Sequence, residues 1–165
     1  MLKSLQERNI ITSIDLVSEN SDRYKIVIPC LKYTDNVIIN ELEASKIAEI
    51  PFNGSNLKEI AQKIKSYGVK DKVIIHMPLC SALLDNNEYI ELPSIDIPKD
   101  WIKGKTGAGD AFCAGCLLSI YNELSNVEIL QNGSYAATMA LSSVDAVSGM
   151  VDLATAKKIC DGFNK

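Results

Sequence analysis

Residues 105–117 read KTGAGDAFCAGCL: a turn with glycine at 107 and 109, a carboxylate at Asp110, then an apolar run. The two glycines remove side chains where backbone N–H groups would have to approach an anion closely. The helix that begins there points its unpaired first-turn amides and the positive end of its dipole at the same spot. A carboxylate at that mouth repels phosphate if binding is its only task. It makes chemical sense as a general base, taking the proton from a hydroxyl that attacks a terminal phosphoryl group. The plainer alternative is a tight turn whose aspartate caps a helix, a frequent use of Gly/Asp clusters, and spacing by itself leaves both open.

Gly104-Lys105-Thr106 also spells the last three residues of a Walker A loop. That motif needs a glycine five positions before Gly104, where Lys99 stands instead, and no buried strand directly precedes it. A Walker A loop is therefore rejected.

Upstream, 10–16 (IITSIDL) alternates as a strand after a short polar, helix-like start, and 37–39 and 73–76 (VIIH) read as brief buried strands. Between the last two, residues 41–48 look helical. Leu57, Ile60, Ala61 and Ile64 then keep amphipathic helix spacing, with Asn56 and Glu59 as a capping box and Gly68 where a helix-ending glycine belongs. Strand, helix, strand predicts a parallel α/β layer. Asp85-Asn86-Asn87, flanked by 82–84 and 88–92, predicts a hairpin. Downstream, Ser125 and Glu128 form an S-x-x-E box opening a helix that runs towards Leu141, and Asp152 caps a final helix ending at Asp161-Gly162.

The 165 residues suit one globular domain, with 47% apolar and 23% charged residues and a formal charge of −4. Without a Lys/Arg stripe, general nucleic-acid binding is excluded. No apolar run approaches the roughly 18 residues of a membrane span, and the polar start MLKSLQERNI lacks the core of a signal peptide. An odd, scattered set of five cysteines reads as reduced thiols, so a cytoplasmic location is expected. Cys113-x-x-Cys116 would suit redox chemistry or half a zinc site. It sits in an apolar run with no second C-x-x-C, and His76 is the only histidine, so core packing is the expectation.

KTGAGDAFCAGCL resembles the C-terminal signature of the ribokinase-like carbohydrate kinases (the pfkB family), written D-T-x-G-A-G-D-x-F. NVIINELEA resembles the family's N-x-x-E segment, supplied by Asn40 and Glu43, and the likeness extends from roughly Ile10 to Gly162. It implies a three-layer α/β fold on a parallel sheet, with residues 1–165 forming the C-terminal portion of the domain. It also implies ATP-dependent phosphorylation of a small sugar-like substrate. Asp110 would be the catalytic base, and the amides of Gly107, Ala108 and Gly109 the anion hole. Lys105 and Thr106 would adjoin the nucleotide, while Asn40 and Glu43 would place Mg²⁺ and the ATP phosphates through water. On local grounds alone, Asn40 and Glu43 read equally well as helix capping.

Three features depart from the family pattern. Gly104 stands where the motif has an Asp that often helps hold a monovalent cation, and Lys105 replaces a small hydroxyl residue. The T-x-G-x-x-G nucleotide loop corresponds to His76-Met77-Pro78-Leu79-Cys80-Ser81, which has no glycine for a close backbone approach to phosphate. His76, at a strand end, reads as structural before catalytic. Family members are longer, and the half that normally supplies the sugar contacts, the first glycine motif and the lid has no counterpart here. Asp15 and Arg23 fall where some relatives touch substrate. An exposed sheet edge and apolar face are expected, and with them self-association or a partner carrying the other half.

Overall fold

Residues 36–40, NVIIN, run without a charge through three β-branched side chains. In the computed structural model, which describes residues 1–17 and 23–163, they form strand β2 (Asn36–Asn40). Strand β3 (Lys72–His76, KVIIH) repeats the pattern and pairs with it in parallel, Ile38 opposite Ile74 and Asn40 opposite His76. Val37, Ile38, Ile39, Val73, Ile74 and Ile75 are all fully buried. Continuous apolar runs, rather than alternation, are what strands covered on both faces require.

Strand β1 pairs in parallel with β2 but holds only Ser13–Ile14, shorter than the expected 10–16. Side chains take the amides that a longer ladder would need. Thr12 N–H donates to the Asp35 carboxylate at 2.8 Å, and Leu16 N–H to Asp15 at 2.7 Å. Strands β4 (Cys80–Leu84) and β5 (Tyr89–Pro93) complete a five-stranded sheet in the order β1-β2-β3-β4-β5. The predicted hairpin forms between them, with Asp85 Oδ1 accepting the N–H groups of Asn87 and Glu88, each at 2.7 Å.

Ahead of β2 lie α1 (Leu2–Gln6), a 3-10 turn (Arg23–Val27) and α2 (Ile28–Leu31). The crossover from β2 to β3 is α3 (Glu41–Ala48) followed by α4 (Leu57–Ser66), whose Leu57, Ile60, Ala61 and Ile64 are buried as their spacing predicts. The Asn56–Glu59 capping box does not form. Asn56 instead accepts from Asn53 N–H at 3.0 Å and donates to the Pro51 carbonyl at 3.1 Å, so its side chain orders the loop before the helix.

The chain divides into two compact units, one of Met1–Met77 with Ala82–Glu91, the other of Pro78–Ser81 with Leu92–Lys165. The second holds α5 (Ala108–Tyr121), α6 (Asn126–Ala140) and α7 (Leu153–Asp161). Ser125 and Glu128 form the predicted capping box for α6, and Asp152 accepts from Thr155 N–H at 3.0 Å to cap α7. Trp101 anchors the segment before α5, donating its indole N–H to the Thr138 carbonyl at 2.8 Å and meeting Phe163 edge-on. The cysteines form no disulfide, and Cys113 and Cys116 are buried in the unit as expected. Burial, with Cys113 adding, pushes the Cys116 thiol well above its ordinary pKa, which suits packing and not thiolate chemistry. Among the described residues no helix is long and apolar enough to cross a membrane.

Helices α5 and α6 approach each other closely through glycine. A Cβ added at Gly133 would lie 2.7 Å from Cys116 Sγ and 2.9 Å from the Phe112 ring. Gly133→Ala is therefore expected to lower stability by about 1–3 kcal/mol, the usual cost of overpacking, despite alanine's better helix propensity. Urea denaturation measures it, and an unchanged midpoint would mean the two helices can part without loss.

Candidate active site

Seven of the sequence-selected positions and neighbours lie consecutively in the second unit, from Gly104 to Asp110. Gly107 is the N-cap of α5 with φ 79°, a left-handed conformation that favours glycine, and no side chain caps the helix. Ala108 N–H reaches back to the Lys105 carbonyl at 3.4 Å, and Ala111 N–H takes the Gly107 carbonyl at 2.8 Å. The amides of Gly109 and Asp110 have no partner among the described residues. Helices α3, α6 and α7 all satisfy their first turn with a side chain, whereas α5 leaves its own open. An open helix N-terminus of this kind is a ready site for an anion.

Asp110 sits in the first turn of α5 and is exposed. Its carboxylate makes no hydrogen bond or ion pair among the described residues. The capping alternative would have tied that carboxylate to the helix amides. Lys105 and Thr106 are also exposed, on the segment leading into the turn.

The turn rests on a loop that no motif marked. A Cβ at Gly107 would lie 2.5 Å from Ala146 Cβ, and one at Gly104 would lie 2.7 Å from the Ser143 carbonyl and 2.9 Å from that of Val144. Gly104 is thus a packing requirement: the aspartate usual there cannot be built without moving the 143–144 backbone. Asp145 holds this seat in shape, accepting from Val147 N–H at 2.9 Å and from Ser148 N–H and Oγ at 2.6 Å each. The Ser148 hydroxyl, helped by these backbone amides, holds the Asp145 carboxyl below its ordinary range.

In the first unit, Asn40 ends β2 and caps α3. Its Oδ1 accepts from Glu43 N–H at 2.9 Å, and Glu43 Oε2 accepts from Asn40 N–H at 3.0 Å. The local capping reading of this pair is therefore realised, and Glu43 is only 2% exposed. Asn40 and His76 are register partners at the carboxyl ends of adjacent parallel strands, the edge where open α/β sheets bind ligands. Asp15 follows β1, and Arg23 opens the 3-10 turn. Among the described residues no group of three His, Cys, Asp or Glu side chains is arranged to hold a metal.

Burial pulls the His76 pKa from 6.5 down to about 4, leaving a neutral imidazole near pH 7. Between those values the unfolded chain binds a proton that the folded chain refuses, so stability falls as pH drops from about 6.5 towards about 4. His76 is expected to cost about 2 kcal/mol of stability on going from pH 7 to pH 5, and His76→Gln to remove that component. Urea midpoints at the two pH values test this; an equal pH slope in both proteins would assign the loss elsewhere.

The sequence profile of the pfkB family carbohydrate kinases matches residues 9–152. Among solved structures, a candidate sugar kinase from Clostridium perfringens superposes with a TM-score of 0.84 at 20% identity, covering 98% of this chain and 49% of its own. Arabidopsis thaliana ribokinase, complexed with ribose and ATP, gives 0.80 at 22% identity, covering 96% and 50%. Schistosoma mansoni adenosine kinase, in complex with 2-fluoroadenosine, gives 0.74 at 20% identity, covering 93% and 48%. The fold is that of the ribokinase-like enzymes, and the chain spans about half the length of each of these relatives.

Proposed function

The chain belongs to the pfkB family of carbohydrate kinases, and from that membership we propose that it carries the phosphoryl-transfer segment of an ATP-dependent kinase acting on a hydroxyl of a sugar or sugar-like molecule. The observation that carries this reading is the open first turn of α5, with Gly107 left-handed at its cap and the Asp110 carboxylate left without a partner among the described residues. Asp110 takes the proton of the acceptor hydroxyl as its oxygen attacks the γ-phosphorus, the bond from that phosphorus to the β–γ bridging oxygen breaks, and ADP leaves. The amides of Gly107, Ala108 and Gly109 hold the charge that gathers on the transferring group, and Lys105 adds a positive charge nearby. Catalysis of this type is mainly positioning and charge stabilisation.

Asn40 and Glu43 fit Mg²⁺ through water better than by direct ligation. Each commits an oxygen to the other's main chain, and Glu43 is almost wholly buried. When bound, Mg²⁺ supplies neutralising charge to the ATP phosphates. A cytoplasmic location suits both an ATP-dependent reaction and a set of unbridged thiols. The likeness to an adenosine kinase favours a nucleoside as the alternative acceptor within the same chemistry. A remnant that binds nucleotide without turning it over is the non-catalytic alternative.

The 165-residue chain by itself is expected to bind ATP in a Mg²⁺-dependent manner and to phosphorylate no acceptor above background. Kinases must exclude water from the reacting phosphate, which normally takes lid closure, and the chain spans only half of its relatives. Titration calorimetry with ATP, with and without Mg²⁺, joined to a coupled ADP-release assay over sugars and nucleosides, reads both statements. A folded chain with no ATP affinity would overturn the kinase reading. Robust acceptor-dependent turnover from a monomer would show that the chain builds its acceptor site unaided.

A further inference from the structure

The loop between α6 and α7 that seats the glycine turn is pinned at both ends. On the near side, Lys103 N–H takes the Leu141 carbonyl at 2.8 Å. On the far side, Gly149 fits only as glycine. An added Cβ would run into the Met139 carbonyl and lie 2.5 Å from Ser142 Oγ, which itself donates to that carbonyl at 2.7 Å. Between the pins, the only side chain among the described residues that accepts hydrogen bonds from residues 143–148 is Asp145. Its Oδ1 takes the N–H groups of Val147 and Ser148, and its Oδ2 takes the Ser148 hydroxyl. These three bonds close around Ala146. Ala146 is the residue on which the turn rests, since a Cβ at Gly107 would meet its Cβ, its Cα at 2.9 Å and its carbonyl oxygen at 3.3 Å.

We propose that Asp145 is a positioning residue: by bracing 145–148 around Ala146 it fixes where the amides of Gly107, Ala108 and Gly109 stand, and through them the affinity of the turn for phosphate. The first step rests on packing alone, and the second on the reading of that turn as the phosphate site. Asp145 makes no hydrogen bond to the turn among the described residues, so its influence passes through Ala146. Close-packed atoms transmit such a displacement because no void absorbs it. A positioned constellation also tolerates little movement, about 1 Å being enough to cost roughly 10²-fold. Alanine at 145 would release two backbone amides and a hydroxyl to water, and with them the course of the loop. Asparagine would keep the oxygen that both amides use, as Asp and Asn do alike in turns that close on their own backbone two and three residues on.

The experiment uses the full 165-residue chain with Asp145→Ala, Asp145→Asn and, as a control, Gly54→Ala, which is strained at φ 93° in the other unit with nothing within 4 Å of the added Cβ. Circular dichroism reports that each is folded. NMR follows the amide resonances of Gly107, Ala108 and Gly109 without nucleotide, and calorimetry reads ATP affinity with Mg²⁺. Asp145→Ala is expected to move those resonances and to weaken ATP binding at least about tenfold. Asp145→Asn should return the resonances close to wild type and hold the affinity within about threefold, while Gly54→Ala moves neither. Resonances unmoved by Asp145→Ala, or moved with ATP affinity intact, would overturn the proposal. An asparagine variant as weak as the alanine one would overturn it too, since the retained oxygen would then hold nothing. Resonances that move and are restored by asparagine, in a chain that binds no ATP even as wild type, would sink the phosphate reading and uphold Asp145 as the brace of the turn.

Discussion

Gly107→Ala is expected to remove ATP binding and to cost the fold about 2–4 kcal/mol, the sum of a left-handed backbone penalty and a packing clash. The residue holds φ 79°, and an added Cβ would stand 2.5 Å from Ala146 Cβ and 2.9 Å from its Cα. Relief requires either the turn or its seat to move, and a shift of the turn carries the amides of Ala108 and Gly109 with it. Gly54 supplies the internal control. Its φ of 93° is equally unsuited to alanine, but nothing lies within 4 Å of its Cβ position. Gly54→Ala should show only the backbone component, about 1–2 kcal/mol, with ATP affinity unchanged. Equal losses in the two variants, by urea denaturation, would mean that the seat at Ala146 yields freely and does not shape the turn.

In an enzyme completed by the remaining half of the domain, Asp110→Asn should lower kcat by about 10²–10⁴ while leaving KM for ATP unchanged or slightly improved. The carboxamide keeps the shape of the side chain and cannot accept a proton. It also removes a negative charge from the neighbourhood of the phosphates, so ground-state binding has no reason to weaken. Steady-state kinetics separate the two effects. A fall in ATP affinity with kcat preserved would make Asp110 a binding residue and leave the reaction without a base on this helix.

The parts of the fold legible in the sequence are those whose signal is local. The VII runs in 36–40 and 72–76 specify strands covered on both faces, and Ser125 with Glu128 specifies a helix start that forms as written. Asn56 and Glu59 have the same spacing and fail, because the Asn53 amide and the Pro51 carbonyl compete for the Asn56 side chain. The strand at 10–16 shrinks to Ser13–Ile14 for a similar reason, the amides on either side going to Asp35 and Asp15.

At the candidate site, the glycines and Asp110 are readable because their chemistry lies within one turn. Their seat is not. It is made by the carbonyls of Ser143 and Val144 and the Cβ of Ala146, far downstream, and backbone atoms leave no residue-type pattern. Asn40 and Glu43 show the opposite limit. Their sequence serves capping and metal placement equally, and the capping hydrogen bonds that form are compatible with both. Acceptor choice has no local signature in these residues at all.

ATP is expected to place its β- and γ-phosphates at the amides of Gly107, Ala108 and Gly109, within reach of Asp110. A crystal structure of the chain with Mg²⁺ and a non-hydrolysable ATP analogue tests it most directly. Phosphate oxygens are expected about 2.7–3.2 Å from those backbone nitrogens, the range of ordinary N–H···O hydrogen bonds. Phosphates bound elsewhere, with the turn at 107–109 empty, would contradict it.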